Sequence, residues 1–161
     1  MYSFKNKILP IVFAILSYGA LLLPLIGGHV LTDTTLVWIK ITGWNLIEFA
    51  PLMVLAFMVP GFTTAVVLLE DSVIHKKIIL VGLITILAGM VYAFALAETW
   101  IELWTNVSTE IRLLPACVWY PVLLNAQMFA SIVSIHLDQN KFKMVDDFSE
   151  FEVPEMFYMK V

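Results

Sequence analysis

Residues 78–97 read IILVGLITILAGMVYAFALA, an apolar run that contains no charged side chain. About 20 apolar residues at the rise of an α-helix cover the roughly 30 Å hydrocarbon core of a bilayer. The run is too long for a β-strand, and it lacks the polar face of a helix on a soluble domain. It is therefore predicted to cross a membrane as a helix.

Three other apolar segments of comparable length occur in the chain: residues 8–26, 46–69 and 113–135. Of the 161 residues, 61% are hydrophobic and only 14% are charged, a balance far from that of a soluble domain. We expect an all-α integral membrane protein that folds as a four-helix bundle. Residues 1–136 would form the transmembrane domain, and residues 137–161 would form a tail.

Basic residues alternate between the two sides of the predicted spans. Most of them flank the first span, the connection between spans two and three, or the end of span four: Lys5, Lys7, Lys76, Lys77, Lys141 and Lys143. Tryptophans, which favour the headgroup layer, lie at the opposite ends of the spans: Trp38, Trp44, Trp100, Trp104 and Trp119. The positive-inside rule then places both termini in the cytoplasm and makes the protein a multi-pass component of the inner or plasma membrane.

Two segments are expected to depart from simple spans. The sequence around residues 30–43 is too polar for lipid and too apolar for an ordinary loop, which predicts a short helix lying in the outer interface. The second span contains Pro51 near its start and Pro60-Gly61 near its middle. Since proline removes a backbone hydrogen bond, we expect this span to be one kinked helix.

Small residues recur at helical spacing along the third span, at Gly82, Gly89, Ala93 and Ala97. In lipid, such stripes let helices approach closely. The stripe is expected to pack within this bundle, and the alternative is an interface with another membrane protein or a second copy. Beyond it, the i,i+4 spacing puts one acidic pair and one aromatic pair on separate faces of a continuing helix: Glu98 with Glu102, and Trp100 with Trp104.

The C-terminal tail alternates acidic and aromatic residues. Three aromatic residues are candidate anchors for a basic groove on a partner protein: Phe148, Phe151 and Phe157. The alternative is a mobile, solvated tail whose aromatic rings touch the membrane interface.

A transport function remains open as the alternative to partner binding. An interrupted helix exposes backbone groups, and an ionisable residue inside a span is a candidate coupling site. The residues that would serve such a transporter or channel component are Glu48, Pro60, Thr63 and Asn125. An interfacial position for Glu48 is the simpler interpretation, because a carboxylate there reaches water.

Several other function classes find no support in the sequence. The net charge is −4 and there is no Lys/Arg cluster, which argues against nucleic-acid binding. The single cysteine, Cys117, excludes an intramolecular disulfide and multi-thiolate metal sites. No catalytic motif occurs, and we predict neither a metal nor a cofactor nor an enzymatic activity. One candidate ligand set comes from separate loops, and we do not expect it to bind a metal: His29, Asp33, Glu98 and Glu102.

The predicted architecture resembles that of the immunity proteins that protect bacteria against pore-forming colicins. The resemblance concerns four spans with cytoplasmic ends, and no motif accompanies it. Lipoprotein signal peptidases share this topology, but they require two outer aspartates and an Asn-x-Gly element, whereas this chain has only Asp33 there. The sequence thus favours an accessory, assembly or immunity-type protein that acts by binding a membrane protein.

Overall fold

The computed structural model describes residues 2–32, 35–69, 74–106 and 110–149, with side chains described for 5–29, 35–69, 74–104 and 110–138. The elements in chain order are α1 (Tyr2–Leu22), β1 (Pro24–Thr32), β2 (Thr35–Thr42), α2 (Gly43–Phe49), α3 (Met53–Leu68), α4 (Ile74–Asn106), β3 (Ile111–Leu113), a 3-10 turn (Pro115–Val118) and α5 (Trp119–Ser149). The described part of the chain is mostly helical, at 80%.

Three helical segments are long and apolar enough to cross a membrane: Lys5–Leu22, Ile74–Trp104 and Pro115–Asp138. The expectation of membrane-type helices is confirmed to that extent by length and composition. The remaining apolar helix, Met53–Leu68, has 16 residues and is shorter than a usual span. Helix α5 continues to Ser149, so the predicted boundary between bundle and tail at residue 137 falls inside a helix.

The prediction of one kinked helix over residues 46–69 is wrong. Helix α2 ends at Phe49 and α3 begins at Met53. The cause is Pro51, whose ring disfavours the helical conformation of the preceding residue. Ala50 accordingly adopts φ −131° and ψ 89°. Pro60, by contrast, lies inside α3 without ending it.

The predicted interfacial helix over residues 30–43 is also wrong, because this region forms a β-hairpin. Strands β1 and β2 pair antiparallel from Pro24↔Thr42 to Thr32↔Thr35, and β3 pairs with the other edge of β1. Strand β2 reads TLVWIKIT, rich in the β-branched residues that favour extended structure. The all-α description is therefore incomplete. The first apolar segment is helical only to Leu22, and its last residues belong to β1.

The helices share one main core, with the sheet packed at one end. Helix α1 makes its most extensive contacts with α5, α3 lies against both α1 and α4, and α4 also packs on α5. Large side chains that are fully buried in this core include Leu21, Leu25, Leu46, Met53 and Tyr120. All five tryptophans lie in or next to the elements at the sheet end: Trp38 in β2, Trp44 in α2, Trp100 and Trp104 near the end of α4, and Trp119 at the start of α5.

Candidate functional site

Helix α3 packs against α1, α4 and α5 through one side, with buried Pro60 in its middle, and this proline leaves a backbone group without its helical hydrogen bond. Proline has no N–H, so the carbonyl of Ala56, one turn earlier, loses its usual helical partner. The Tyr120 hydroxyl of α5 donates to this carbonyl oxygen at 2.7 Å. Both Ala56 and Tyr120 are fully buried. A side chain of another helix therefore satisfies the group that the proline leaves unpaired.

Two further side chains reach the same break. The Gly61 N–H donates to the Tyr18 hydroxyl of α1 at 3.1 Å. The Gln127 amide of α5 donates to the Pro60 carbonyl at 2.8 Å and lies 3.3 Å from the Thr64 hydroxyl. We call this set the Pro60 junction: Tyr18, Ala56, Pro60, Gly61, Tyr120 and Gln127. It connects α1, α3 and α5.

The ring of Tyr120 extends the junction towards α4. Its centroid lies 4.8 Å from that of Tyr92, and the two rings are tilted by 47°. The Tyr92 hydroxyl donates to the carbonyl of Cys117 at 2.7 Å, which fixes the 3-10 turn that precedes α5. The hydroxyls of these two tyrosines therefore both have a backbone acceptor, as expected for tyrosines in an apolar environment.

A row of polar residues runs along α5 from the junction to one end of the helical core. Its members recur at intervals of three and four, so they share one face of the helix: Gln127, Ser131, Ser134 and Asp138. The first three are at most 1% exposed. At the far end, Asp138 Oδ2 lies 4.0 Å from Nζ of Lys7, itself only 7% exposed. We call this row the polar seam, together with Lys7 of α1 and buried Thr63 of α3, which is next in sequence to the Thr64 that Gln127 contacts.

Some of the seam's polar groups are satisfied locally. The Ser131 hydroxyl donates to the Gln127 carbonyl at 2.7 Å. Four buried side-chain atoms, however, make no hydrogen bond to any group among the described residues: Thr63 Oγ1, Gln127 Oε1, Ser134 Oγ and Asp138 Oδ1. All four belong to the seam, so the unmet polarity is concentrated in one place.

Helix α4 presents its small residues to the outside. The face that packs on the other helices carries Val81, Thr85, Ala88, Tyr92, Ala95, Thr99 and Leu103. Ala93 and Ala97 are exposed, Gly82 and Gly89 are half-buried, and a Cβ added to either glycine would meet nothing within 4 Å. The expected packing of this stripe inside the protein is therefore wrong.

The same outward side of α4 ends in a pair of tryptophans. Trp100 and Trp104 stack with centroids 5.6 Å apart and an interplanar angle of 25°. At 100° per residue, all six residues of this side lie within about 80° of one another. We call them the small face: Gly82, Gly89, Ala93, Ala97, Trp100 and Trp104. Glu98 and Glu102 are exposed on a different side, beside a shallow groove formed with Phe94 and Ile101.

The residues expected to serve transport are not brought together. Pro60 and Thr63 lie in the interior at the junction, with Thr63 only 1% exposed. Glu48 is exposed on α2, and Asn125 is exposed on α5, where its amide donates to the Pro121 carbonyl at 2.7 Å. Glu48 therefore lies at the protein surface. This position is compatible with both interpretations of the residue, a carboxylate at the membrane interface and a coupling site for transport.

The remaining predicted residues are the candidate metal ligands and the aromatic residues of the tail. His29 packs edge-on against Trp38, with centroids 4.7 Å apart. Among the side chains that the structure describes, no group of three or more His, Cys, Asp or Glu residues is placed to hold a metal ion. Of the tail residues, Phe148 lies in α5 with its side chain outside the described part, and Phe151 and Phe157 lie outside the described residues altogether.

Sequence reasoning did not single out the residues that complete the junction and the seam. Four features were absent from the predicted sites: Tyr18, Tyr120, Gln127 and the Lys7–Asp138 pair. A usable signal existed, since a buried Pro-Gly step demands donors from other helices. No protein-family model matches this sequence, and a comparison with curated proteins finds no relative.

Proposed function

We propose that this protein works by binding another membrane protein, and that the small face of α4 forms the contact. The observation that supports the proposal is the outward orientation of this face. Its glycines have open space at the Cβ position, and its alanines are exposed. An accessory, assembly or immunity-type protein would use such a surface to hold its target within the bilayer.

The physical basis is the way helices associate in lipid. Lipid tails are as apolar as leucine, so helix contacts depend on close packing rather than on apolar burial. Gly89, Ala93 and Ala97 follow a small-xxx-small spacing that permits this approach. Since the chain's own helices pack on a neighbouring side of α4, centred roughly 115° away around the helix, the small face is available for contact with a helix of a partner within the membrane.

The stacked tryptophans would fix the depth of the contact. Trp104 is 56% exposed, and Trp100 is partly buried against the core. Indoles favour the headgroup layer, so the pair would hold α4 at one interface. A partner helix that packs along Gly82 to Ala97 would then meet the tryptophans at its own end.

The test is affinity purification with crosslinking from native membranes in mild detergent, followed by mass spectrometry. The variant Gly89→Leu/Ala93→Leu fills the small face, and Leu87→Phe adds bulk on an exposed position outside it. We expect a stoichiometric partner with the wild type and Leu87→Phe, and loss of that partner with Gly89→Leu/Ala93→Leu. Retention of the partner by the filled variant would contradict the proposal.

Transport is a second candidate, favoured by the position of Pro60 and Thr63 beside Gln127 in the interior. A flux assay in proteoliposomes would compare Thr63→Val with Glu48→Gln. If solute passes through the interior, Thr63→Val reduces flux, whereas the exposed Glu48 tolerates its change. Loss of flux in Glu48→Gln alone would instead place the pathway at the surface of α2.

A further inference from the structure

The polar seam poses a problem of free energy that its protein contacts do not solve. A buried polar group without a hydrogen bond has lost its hydration and gained nothing in return, and such groups are rare in native structures. The seam contains four unmet atoms on Thr63, Gln127, Ser134 and Asp138. Three of these residues lie on a single face of α5, so their unmet atoms follow one line along the helix.

The helix opposite the seam adds to the polarity. Fully buried Pro10 lies within α1 and lacks an N–H, which deprives the Asn6 carbonyl of its helical partner. The pairing of Lys7 with Asp138, and the meeting of Tyr18 and Gln127 at Pro60-Gly61, fix an antiparallel register between α1 and α5. This register brings Pro10 to the level of Ser134.

The length of the seam follows from the same register. Lys7 and Tyr18 are eleven residues apart, as are Gln127 and Asp138. At 1.5 Å per residue this separation is about 16 Å, roughly half the thickness of a hydrocarbon core. The seam thus extends from a charged pair at one end of the helices to a proline break near their middle.

We propose that the polar seam is a water-binding half-channel, which carries a file of water from the Lys7–Asp138 end to the Pro60 junction. Water suits these atoms because buried water molecules typically make about three hydrogen bonds to otherwise unsatisfied polar groups. A cation suits them less well, because the inner end of the seam contains hydroxyl and amide groups and no charged side chain among the described residues. The inference is independent of partner binding by α4.

The half-channel has a defined inner boundary. Beyond Gln127, the buried face of α5 continues with Leu124 and Tyr120, which are apolar or already hydrogen-bonded. Water would therefore reach the Thr63 hydroxyl and stop there. A solvent path of this kind gives protons access to the middle of the protein from one side only.

The test is water-edited solid-state NMR of the labelled full chain in lipid bilayers. Magnetisation transfer from water to Thr63, Gln127 and Ser134 should be several-fold faster than transfer to Ile86, which is 61% exposed on the lipid side of α4. Transfer as slow as that to Ile86 at all three residues would show a dry seam. Fast transfer confined to Ser134 would show that water does not reach the junction. Either result overturns the proposal.

A plugging variant tests continuity. In Ser134→Leu the added side chain blocks the file, so transfer to Thr63 and Gln127 should fall to the level of Ile86 while transfer to Asp138 persists. Val133→Leu, on the exposed side of α5, is the matched control and should change nothing. Unchanged transfer to Thr63 in Ser134→Leu would overturn the path. Ser134→Val, judged by the same criterion, replaces Ser134→Leu if that variant does not fold.

Discussion

The Tyr120 hydroxyl donates a 2.7 Å hydrogen bond to the carbonyl of Ala56. This carbonyl is the one that Pro60 leaves without a helical N–H, and it lies between helices where water has no direct access. The proline in α3 and the tyrosine in α5 thus form one structural unit, although 60 residues of chain separate them. Substitutions at these residues can therefore test how the interior of the protein is stabilised.

Loss of the Tyr120 hydroxyl should destabilise the protein. Tyr120→Phe leaves the Ala56 carbonyl buried and unpaired, and we expect unfolding to become easier by about 1–2 kcal/mol. Denaturation of the detergent-solubilised protein followed by circular dichroism would measure the change. Tyr18→Phe is a useful comparison, because its partner, the Gly61 N–H, lies in a more exposed hydrogen bond. An equal or smaller loss in Tyr120→Phe would contradict this account.

Restoring the missing N–H should weaken the dependence on Tyr120. In Pro60→Ala, the residue 60 amide can donate to the Ala56 carbonyl, which then no longer needs the hydroxyl. We expect Tyr120→Phe to cost less in the Pro60→Ala background than in the wild type, with a coupling of about 0.5–2 kcal/mol. A double-mutant cycle of unfolding free energies measures this coupling. Strict additivity would show that the two residues act independently.

Glycines in this protein should respond to alanine according to their surroundings. A Cβ at Gly43 would lie 2.6 Å from the Leu21 carbonyl oxygen, a backbone atom that cannot easily move. Gly43→Ala should therefore lower the thermal midpoint, at a cost of about 1–3 kcal/mol from overpacking. Gly82→Ala meets no atom within 4 Å and gains helix propensity, so it should be neutral or stabilising by up to about 1 kcal/mol. Similar melting of the two variants would contradict the close approach of α2 to Leu21.

The Lys7–Asp138 pair should behave as a unit. Removing one partner leaves a charge in a largely buried site, so Lys7→Met or Asp138→Asn is expected to destabilise the protein by roughly 1–3 kcal/mol. The double variant Lys7→Met/Asp138→Asn removes both charges and should recover most of this loss. Unfolding free energies of the three variants check the prediction. If the losses of unfolding free energy in the two single variants add up fully in the double variant, the two side chains are not energetically coupled across their 4.0 Å separation.

The sequence alone established three of the four predicted membrane-type helices and the grouping of the tryptophans. Both depend on local composition, because an apolar run of about 20 residues has few alternatives to a spanning helix. The pairing of Trp100 with Trp104 also followed from spacing along one helix, and the structure confirms it as a stacked pair. Such properties need no knowledge of neighbouring elements.

The hairpin and the break at Pro51 were missed for a different reason. Residues 30–43 are apolar enough for an interfacial helix and β-branched enough for strands, so composition left two solutions. The pairing of β1 with β2 and β3 decides between them, and that pairing joins segments far apart in the chain. At Pro51 the tendency of proline to end the preceding helix was visible in the sequence, but the continuous apolar run suggested a single helix.

What only the tertiary structure decided is the direction in which each helix faces. Periodicity showed that Gly82, Gly89, Ala93 and Ala97 share one side of α4, but α4 is apolar all round. Hydrophobicity therefore did not indicate which side packs inward, because apolar residues are favourable both in lipid and in the protein interior. The inward side was fixed by contacts such as Tyr92 with Tyr120, and those contacts leave the small face at the surface of the protein.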